Sequence, residues 1–368
     1  MVLYCETRFH SRLISRLSIC CTAASFHTHP ILVFRSFLIS QLPKKEMPLT
    51  NRILEKIQKI GIVPVVVLDD PKDAAPLAEA LCKGGLPCAE VTFRTAAAEE
   101  SIRIMTERFP DMLVGAGTVL TIEQADRARA AGARFIVSPG LNPAVVRHCM
   151  EIGIPVIPGT ATPSDVEAAM GLGLDVVKFF PAEQAGGIAM IKAMSAPYTQ
   201  MKFMPTGGVN AQNLNTYLAS DKVLACGGSW MVKKELIASG QFDKIRQLTK
   251  EAVETMLGFR LKHIGINCQS ADEAEQTAGF FERLFGFAKD PRDVSFFAGT
   301  AIEAMNSKGR GTMGHIAIGA NSVERARNYL EMLGCQFDES TAKYENGKLT
   351  FIYIAGEVSG FAVHLTQN

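Results

Sequence analysis

The stretch "LVGAGTVLTIEQADRARAAGARFIVS" (Leu113–Ser138) contains one complete strand–helix–strand unit. The apolar run "LVGAGT" (113–118) predicts a buried strand, and "TIEQADRARAAG" (121–132) has the spacing of a surface helix that ends on glycine. "RFIVS" (134–138) then predicts the next strand. Strands that alternate with helices of this length are typical of a parallel sheet covered by helices, so this stretch indicates an α/β fold.

The same alternation recurs between Ile62 and Met256, where eight apolar runs are each followed by an amphipathic stretch. The other six runs are "IVPVVV" (62–67), "CAEVTF" (88–93), "PVIPGT" (155–160), "VVKFF" (176–180), "KFMPT" (202–206) and "VLACG" (223–227). Eight such units predict a (β/α)8 TIM barrel. An open doubly wound sheet is the main alternative, but no GxGxxG follows the first strand.

A barrel of this kind carries its chemistry at the carboxyl ends of its strands. Unusual polar residues and Gly-Gly pairs fall at those ends in several units: Glu90, Arg94, Thr118, Thr160, Lys178, Thr206, Gly207, Gly208, Gly227, Gly228 and Ser229. The two Gly-Gly turns follow the seventh and eighth runs, where barrels often bind phosphate through backbone N–H groups. The pattern therefore predicts an active site at this end of the barrel.

Lys178 is the unusual residue of the sixth run, because it places an ammonium group in a strand that otherwise reads as buried. Side chains alternate along a strand, so Lys178 and Glu90 are both expected to point into the barrel. A dry site favours the neutral amine, which can attack a carbonyl carbon and form a Schiff base. The alternative is a Lys178–Glu90 ion pair that only fills the barrel.

Six motifs in this order resemble the class I 2-keto-3-deoxy-6-phosphogluconate aldolases, which also act on 4-hydroxy-2-oxoglutarate. The motifs are "EVTFRT" (90–95), "GAGTV" (115–119), "SPG" (138–140), "KFFPAE" (178–183), "PTGGV" (205–209) and "GGSW" (227–230). The resemblance implies a cofactor-free, homotrimeric lyase of the Entner–Doudoroff pathway with a keto-acid substrate.

The resemblance also implies residue roles. Lys178 would form the Schiff base, and Glu90 would act as general acid and base. The substrate-binding residues would be Arg94, Thr118, Pro139, Thr160, Thr206, Gly207, Gly208, Gly228 and Ser229, with Arg94 and Thr118 at the pyruvyl carboxylate and the glycines towards the phosphate.

The sequence after Leu257 contains an internal repeat. "HIGIN" (263–267) is echoed by "HIAIG" (315–319), and "AIEAMN" (301–306) by "AVHLTQ" (362–367). Each half reads as a strand, a helix and two or three further strands. We therefore expect a barrel domain over 47–257 and a smaller α+β domain of paired βαβββ modules over 258–368.

Four segments from both halves, "KHIGINC" (262–268), "AIEAM" (301–305), "GHIAIG" (314–319) and "AVHLT" (362–366), resemble the vicinal oxygen chelate superfamily, which includes glyoxalase I and extradiol dioxygenases. The family's metal positions correspond here to His263, Glu303, His315 and His364, although His364 stands where a glutamate is usual. Three histidines and one carboxylate suit a divalent metal such as Zn, Fe, Mn or Ni. A polar ligand cavity without metal is the alternative interpretation.

Composition narrows the class of partner. The chain has 368 residues, a net charge of +1 and no long basic run after its first residues, so we expect no nucleic-acid partner. No run reaches the ~20 apolar residues of a membrane span, and the nine cysteines form no CxxC, as in a cytoplasmic protein. Residues 1–46 contain few acidic residues and no sustained helical or strand periodicity, so we expect an unstructured or start-site extension. Its two histidines, His27 and His29, are not expected to form a metal site, because two histidines in such a segment seldom do.

Two further hypotheses remain open from the sequence. The barrel could be inactive and act as a sugar-acid sensor, or the chain could be a fusion of two enzymes acting on consecutive metabolites. The complete set of Lys178, Glu90 and Arg94 argues against the sensor.

Overall fold

The computed structural model describes residues 48–368, and its first sheet consists of short parallel strands. These strands are β1 Ile62–Val66, β2 Cys88–Thr92, β3 Leu113–Gly117, β4 Ile136–Val137, β5 Val156–Ile157, β6 Gly159–Thr160, β7 Val176–Phe179, β8 Lys202–Pro205 and β9 Cys226–Gly228. All eight predicted apolar runs contain or adjoin one of them.

Helices alternate with these strands and cover the outside of the sheet. They are α1 Leu49–Ile60, α2 Ala74–Lys83, α3 Ala98–Arg108, α4 Ile122–Ala130, α5 Pro143–Glu151, α6 Pro163–Gly171, α7 Gly187–Ser195, α8 Leu214–Leu218, α9 Lys234–Ala238 and α10 Phe242–Leu257. Side-chain caps begin several of them. Thr162 and Asp165, for example, form a capping box at the start of α6, as the Thr-x-x-Asp spacing allows.

The strands close into a ring. One run of paired strands has the order β5-β4-β3-β2-β1-β9 and another the order β6-β7-β8. Only Pro158 separates β5 from β6, and bridges between Phe203 and Val223 and between Thr206 and Gly227 connect β8 with the last strand. The α/β prediction and its curled parallel sheet are therefore confirmed.

A second sheet follows the barrel. Its strands are β10 Arg260–Asn267, β11 Lys289–Pro291, β12 Ser295–Ala298, β13 Ile302–Met305, β14 Gly314–Ala320, β15 Phe337–Glu345, β16 Lys348–Val358 and β17 Phe361–Gln367, with helices α11 Ala271–Phe285 and α12 Val323–Met332. The strand order β11-β12-β13-β10-β14-β17-β16-β15 consists of two equivalent halves, each with the sequence strand, helix, three strands. This order is consistent with the expected pairing of two βαβββ modules.

Helix α12 packs against the end of the barrel where the strands begin. Arg325 donates from Nε to the carbonyl of Gln58 (3.2 Å) and from Nη1 to that of Leu218 (3.4 Å). The ring of Tyr329 lies against Gly85, which precedes β2, so closely that a Cβ there would be 2.8 Å from the ring. The second sheet is thus attached at the end of the barrel opposite the carboxyl ends of its strands.

The joint between the two sheets is short and held on both sides. Helix α10 ends at Leu257, and Gly258 takes a left-handed conformation (φ 58°). Asn368 donates to the carbonyl of Gly258 (3.0 Å), and the backbone N–H of Asn321 donates to that of Leu257 (2.8 Å). Strand β10 then begins at Arg260.

Several predictions concern residues outside 48–368, namely the extension, Cys5, Cys20, Cys21, His27 and His29. Within the described range all six cysteines are free thiols, and Cys88, Cys149, Cys226 and Cys268 are buried. Burial raises the pKa of the Cys149 thiol to about 11, so it is protonated at neutral pH. No helix in residues 48–368 is both long and apolar enough to cross a bilayer.

Candidate active site and candidate metal centre

Lys178 and Glu90 meet inside the barrel. Lys178 is the third residue of β7 and Glu90 the third of β2, and both lie on the inward face, as strand alternation predicted. Nζ of Lys178 is 3.3 Å from Oε1 of Glu90, and the two residues are only 4% and 0% exposed. The site therefore pairs a buried amine with a buried carboxylate.

The neighbouring strand makes room for the carboxylate. Gly117, at the end of β3, faces Glu90, and a Cβ at Gly117 would lie 2.2 Å from Oε1 of Glu90. Oε2 of Glu90 is buried and has no hydrogen-bond partner within the described residues. Because a buried polar atom is costly to leave unpaired, this oxygen is positioned to bond a water or a substrate hydroxyl.

Two further predicted residues contact each other at the end of the strands. Arg94 donates from Nε to Oγ1 of Thr118 (3.2 Å). Thr118 has a φ of 55°, a left-handed conformation that is rare for threonine and occurs preferentially at functional sites. Arg94 is exposed and keeps its terminal nitrogens free of protein partners among the described residues, which leaves them available for a carboxylate.

The ring of Phe180 lies beside the amine, with its centroid 5.4 Å from Nζ of Lys178. Thr160 is buried and uses its hydroxyl to donate to the Lys178 carbonyl (3.1 Å). The carbonyl of Pro139 lies so close to Gly159 that a Cβ there would be 2.0 Å away. Both residues thus shape the strand that carries the lysine.

A cavity of about 330 Å³ opens at this end of the barrel and collects most of the predicted substrate residues. Its lining includes Arg94, Thr206, Gly207, Gly208, Gly228 and Ser229, together with Phe180. Thr118, Pro139 and Thr160 are not on this lining, and neither are Lys178 and Glu90, although Phe180, whose ring is 5.4 Å from Nζ of Lys178, is. The cavity therefore extends from the Phe180 ring to the two predicted Gly-Gly turns.

Sequence reasoning missed a support beneath the first Gly-Gly turn. Gly207 and Gly208 have φ of 96° and 83°, and a Cβ at Gly208 would lie 2.5 Å from Cγ of Glu183. Glu183 in turn accepts a hydrogen bond from the buried hydroxyl of Tyr217. Glu183 could have been identified from the sequence because it is the last residue of the "KFFPAE" motif. Tyr217 belongs to no motif, and its sequence context indicates only a buried aromatic residue.

Lys233 and Lys234 also line the cavity and were not predicted. Lys233 ends the loop that follows Ser229 and Lys234 begins α9, and the strand–helix pattern does not specify the path of this loop.

In the second sheet, the four predicted metal positions converge. Nε2 of His263 is 3.1 Å from Nε2 of His315, and Oε2 of Glu303 is 3.1 Å from each of these two nitrogens. One ligand atom from each of the three histidines, including His364, can be chosen so that all lie within 4.8 Å of one another. Strands β10, β13, β14 and β17 supply one residue each.

This cluster fits a divalent metal. Bonds of about 2.0–2.2 Å to a metal leave neighbouring ligand atoms about 3 Å apart, which matches the observed triangle. Without a cation, two imidazole N–H groups would donate to the same Glu303 oxygen while lying 3.1 Å from each other. Nδ1 of His364 is buried with no hydrogen-bond partner in the described range, as expected of a free ligand atom.

The electrostatics of the cluster favour the protonation states that metal ligands need. Burial lowers the pKa of His364 to about 3, with further contributions from His315 and His263, so its imidazole is neutral at pH 7. Burial raises the pKa of Glu303, but hydrogen bonds from His263, His315 and Ser295 outweigh it and hold this pKa well below its usual range.

Glycine and aromatic residues shape the surroundings of the cluster. A Cβ at Gly265 would lie 2.1 Å from the His315 ring, so only glycine fits opposite it. Phe351 and Tyr353 have ring centroids 4.5 Å and 5.0 Å from that of His364, and Phe297 lies 5.4 Å from His263. The concave face of the sheet is thus apolar around a polar centre.

Comparisons with known proteins match the barrel. Residues 53–248, slightly more than half of the chain, match the family model described as "Aldolase: KDPG and KHG aldolase". A 2-dehydro-3-deoxy-phosphogluconate aldolase from Treponema pallidum is 50% identical over 202 residues, which cover 55% of this chain and 96% of that protein. The KHG/KDPG aldolase of Escherichia coli K12 is 42% identical over 193 residues, or 52% of this chain and 91% of that protein.

A solved structure shows the same fold. The KDPG aldolase from Legionella pneumophila, with pyruvate captured at low pH as a covalent carbinolamine intermediate, is 41% identical, with a TM-score of 0.53. The match covers 54% of this chain and 97% of that one.

Proposed function

The chain belongs to the KDPG and KHG aldolase family, and we propose that its barrel cleaves 2-keto-3-deoxy-6-phosphogluconate to pyruvate and glyceraldehyde 3-phosphate. Cleavage of 4-hydroxy-2-oxoglutarate to pyruvate and glyoxylate would follow the same chemistry. The observation that carries the proposal is the buried contact of 3.3 Å between Nζ of Lys178 and Glu90. The enzyme is a class I lyase, in which the iminium ion formed by a lysine accepts the electron pair of the breaking C–C bond. In other aldolases a metal ion stabilises the corresponding enolate.

The proposed reaction begins with attack of the Lys178 amine on C2 of the keto acid. The resulting carbinolamine loses water to give an iminium ion. Glu90 then removes the proton of the C4 hydroxyl, C3–C4 breaks, and the electron pair of that bond moves into the iminium to give an enamine. The aldehyde leaves, C3 is protonated, and hydrolysis of the pyruvate imine restores the free lysine.

The ends of the substrate are assigned by charge. Arg94 lies beside Thr118 and lines the cavity, and would hold the carboxylate next to C2. The Gly207–Gly208 and Gly228–Ser229 turns line the far side of the cavity and would offer backbone N–H groups to the phosphate. A substrate with anionic groups at both ends suits this distribution.

Borohydride reduction in the presence of pyruvate tests the proposal. Reduction of the imine should add one pyruvate-derived mass to the intact chain, and peptide mapping should place it on Lys178. Glu90→Gln should still form this adduct, while its turnover should fall about 10²–10⁴-fold. An adduct that persists in Lys178→Ala, or no adduct in the wild type, would show that the Schiff-base assignment is wrong.

The same experiment addresses the sensor alternative. An inactive barrel would bind the keto acid without forming the adduct. The buried Lys178–Glu90 contact gives no support to this alternative, because a reversible sensor has no need of a buried amine at the substrate carbon.

For the second sheet we propose a small-ligand site centred on a divalent metal. His263, Glu303, His315 and His364 would hold the metal, which when bound would act as a Lewis acid towards an oxygen ligand. The carrying observation is the triangle of 3.1 Å contacts among Glu303, His263 and His315. We further propose that this sheet belongs to the vicinal oxygen chelate superfamily and forms a domain over 258–368.

Metal analysis of the full-length protein tests this centre. After loading with Zn²⁺ or Mn²⁺ and removal of excess metal, we expect one bound ion per chain. His315→Ala should abolish binding, whereas Cys335→Ala, which removes a potential ligand elsewhere in the same sheet, should not. A stoichiometry near zero in the wild type would favour a metal-free binding cavity.

We propose that the chain assembles as a homotrimer through its barrel. Apolar side chains are exposed in or beside three consecutive barrel helices: Leu120, Ile122, Met150 and Met170. Such side chains favour a subunit interface. Light scattering on the full chain should give three times the mass of one chain, and Ile122→Glu with Met150→Glu should reduce it.

A further inference from the structure

The face of the second sheet that carries the histidines also carries aromatic rings on one side of them. Tyr353 of β16 lies directly opposite His364 of β17, and Phe351 precedes Tyr353 by two residues on β16. The ring centroids of Tyr353 and Phe351 are 5.0 Å and 4.5 Å from that of His364. The sheet is therefore apolar beside the proposed metal centre, and the carbon chain of a ligand can pack there.

A lysine follows these rings on the outermost strand. Lys343 of β15 lies directly opposite Phe351 of β16 in the antiparallel pair, so the two side chains are on the same face of the sheet. Nζ of Lys343 is 4.8 Å from the centroid of the Phe351 ring. The side chains of His364, Phe351 and Lys343 thus form a row across the adjacent strands β17, β16 and β15.

Lys343 differs from the other cation beside these rings in having no carboxylate partner. Arg310 lies over Tyr353, with its Cζ 5.1 Å from the ring centroid, but it also donates to Oδ2 of Asp338 (2.8 Å). The charge of Arg310 is therefore offset within the protein. Lys343 is exposed and forms no ion pair in the part of the chain that the structure describes. Its ammonium group is thus available to an anionic group of a ligand.

On the basis of the proposed metal centre, we infer that the second sheet binds an organic acid with two polar ends. An oxygen donor at one end binds at the histidine cluster, and a carboxylate at the other end, beyond the Phe351 ring, binds Lys343. The carbon chain between the two ends packs against Phe351 and Tyr353. Three neutral imidazoles and one carboxylate leave a divalent cation with a positive net charge, so the cluster also favours an anionic oxygen. A dicarboxylate with several methylene groups between its ends has this chemistry.

The test uses the full chain loaded with Co²⁺, whose visible absorption changes when a ligand binds to the ion. Adipate, which has a carboxylate at each end, is compared with hexanoate, which has the same number of carbons and one carboxylate. The wild type should bind adipate with a lower Kd than hexanoate, and added salt should reduce the difference.

Variants of the lysine identify its role. Lys343→Gln should weaken adipate binding about fivefold and leave hexanoate binding unchanged, because only adipate can place a second carboxylate at the lysine. Lys343→Arg should restore most of the difference. Lys348→Gln is the matched control and should behave like the wild type, because Lys348 lies opposite Glu345 at the end of the same strand pair.

Two outcomes would overturn the inference: equal adipate binding by the wild type and Lys343→Gln, or an equal loss of adipate and hexanoate binding, which would indicate a structural role. Calorimetric titration of the metal-free chain with adipate separates this inference from the proposed metal centre. The barrel contributes equally to the wild type and to Lys343→Gln, so their difference reports on the second sheet. If the chain binds no metal but this difference holds, the metal centre fails while the carboxylate site stands. If Co²⁺ binds and adipate leaves its spectrum unchanged, the metal centre stands and the inference fails.

Discussion

At the scale of single residues, the active site depends on space as much as on charge. Glu90 can lie beside Lys178 only because β3 has no side chain at Gly117. A methyl group there would meet Oε1 of Glu90 at 2.2 Å and would displace the carboxylate. The spacing of Lys178 and Glu90 is thus determined partly by a residue with no chemistry of its own.

Gly117→Ala should therefore lower kcat about 10²-fold, because a displacement of about 1 Å at a catalytic group has this effect. The measurement is steady-state turnover, accompanied by far-UV circular dichroism to verify the fold. Gly171→Ala is the matched control, because a Cβ at Gly171 meets nothing within 4 Å. Equal activity of the two variants would contradict the steric role of Gly117.

His364 links the metal centre to the pH dependence of stability. Its pKa is lowered to about 3 in the folded chain, against 6.5 for the free side chain. Between these values the unfolded chain binds more protons than the folded one, so stability is present above pH 6.5 and is lost as the pH falls.

For metal-free protein, lowering the pH from 7 to 5 should cost about 2 kcal/mol more in the wild type than in His364→Gln. Urea unfolding at the two pH values measures this difference. Comparing variants cancels most of the contribution of His263, His315 and Glu303, which face His364 from the neighbouring strands. A smaller loss in the wild type than in His364→Gln would show that the sign is wrong.

At the scale of elements, α12 is attached to the barrel through the carboxyl ends of two barrel helices. The guanidinium of Arg325 donates to Gln58 in the last turn of α1 and to Leu218, the last residue of α8. These carbonyls lack partners within their own helices, and the negative end of a helix dipole favours a cation. One arginine thus caps two barrel helices from outside the barrel.

Arg325→Met should lower the free energy of unfolding by about 1–3 kcal/mol, because it leaves these carbonyls without their donor. Arg327→Met is the control. Arg327 lies on the same helix but forms ion pairs with Glu331 and Glu339 at the surface, which contribute less than about 1 kcal/mol. Urea unfolding measures both variants, and an effect of Arg327→Met as large as that of Arg325→Met would contradict this account.

The elements also show where the sequence was sufficient. Strand alternation predicted that Lys178 and Glu90 would both point into the barrel, because side-chain direction in a strand follows from parity alone. The four metal positions were implied by the family resemblance and not by the pattern itself. It did not predict the interruption at Pro158, where one strand continues as two short pieces. The sequence also did not predict that α12 would pack on the barrel. The pattern of an amphipathic helix shows which face is buried but not which element that face packs against.

Lys233 shows the same limit at a loop. Its sequence context, "MVKKEL", has no period that would direct a side chain, so only the structure shows that Lys233 lines the cavity. The position of Tyr217 behind Glu183 depends on contacts between distant segments, which no local pattern carries.

At the scale of the whole molecule, the two sites lie in separate parts of the structure. The aldolase cavity opens where the barrel strands end, and α12 attaches the second sheet where they begin. No side chain that lines the cavity comes from the second sheet. A change at the metal centre therefore has no direct contact through which to alter the aldol reaction.

Removal of the proposed metal should affect the second sheet and leave the aldol reaction unchanged. Treatment of the full chain with EDTA should leave aldol cleavage within about twofold of the untreated rate, while unfolding of the second sheet shifts to lower temperature, since a metal stabilises the state that binds it. Aldolase assays and calorimetry on the same sample provide the measurement. A parallel loss of cleavage and metal would show that the sites are coupled.

The short joint at Gly258 bears on whether proteolysis can separate the two halves of the chain. A protease needs several exposed residues in extended form, and such segments are usually found between domains. Here α10 runs to Leu257, β10 begins at Arg260, and Asn321 and Asn368 bond the residues between them. Cleavage at this point is disfavoured, so both halves are expected to be made, kept and degraded together, in a fixed ratio of one to one.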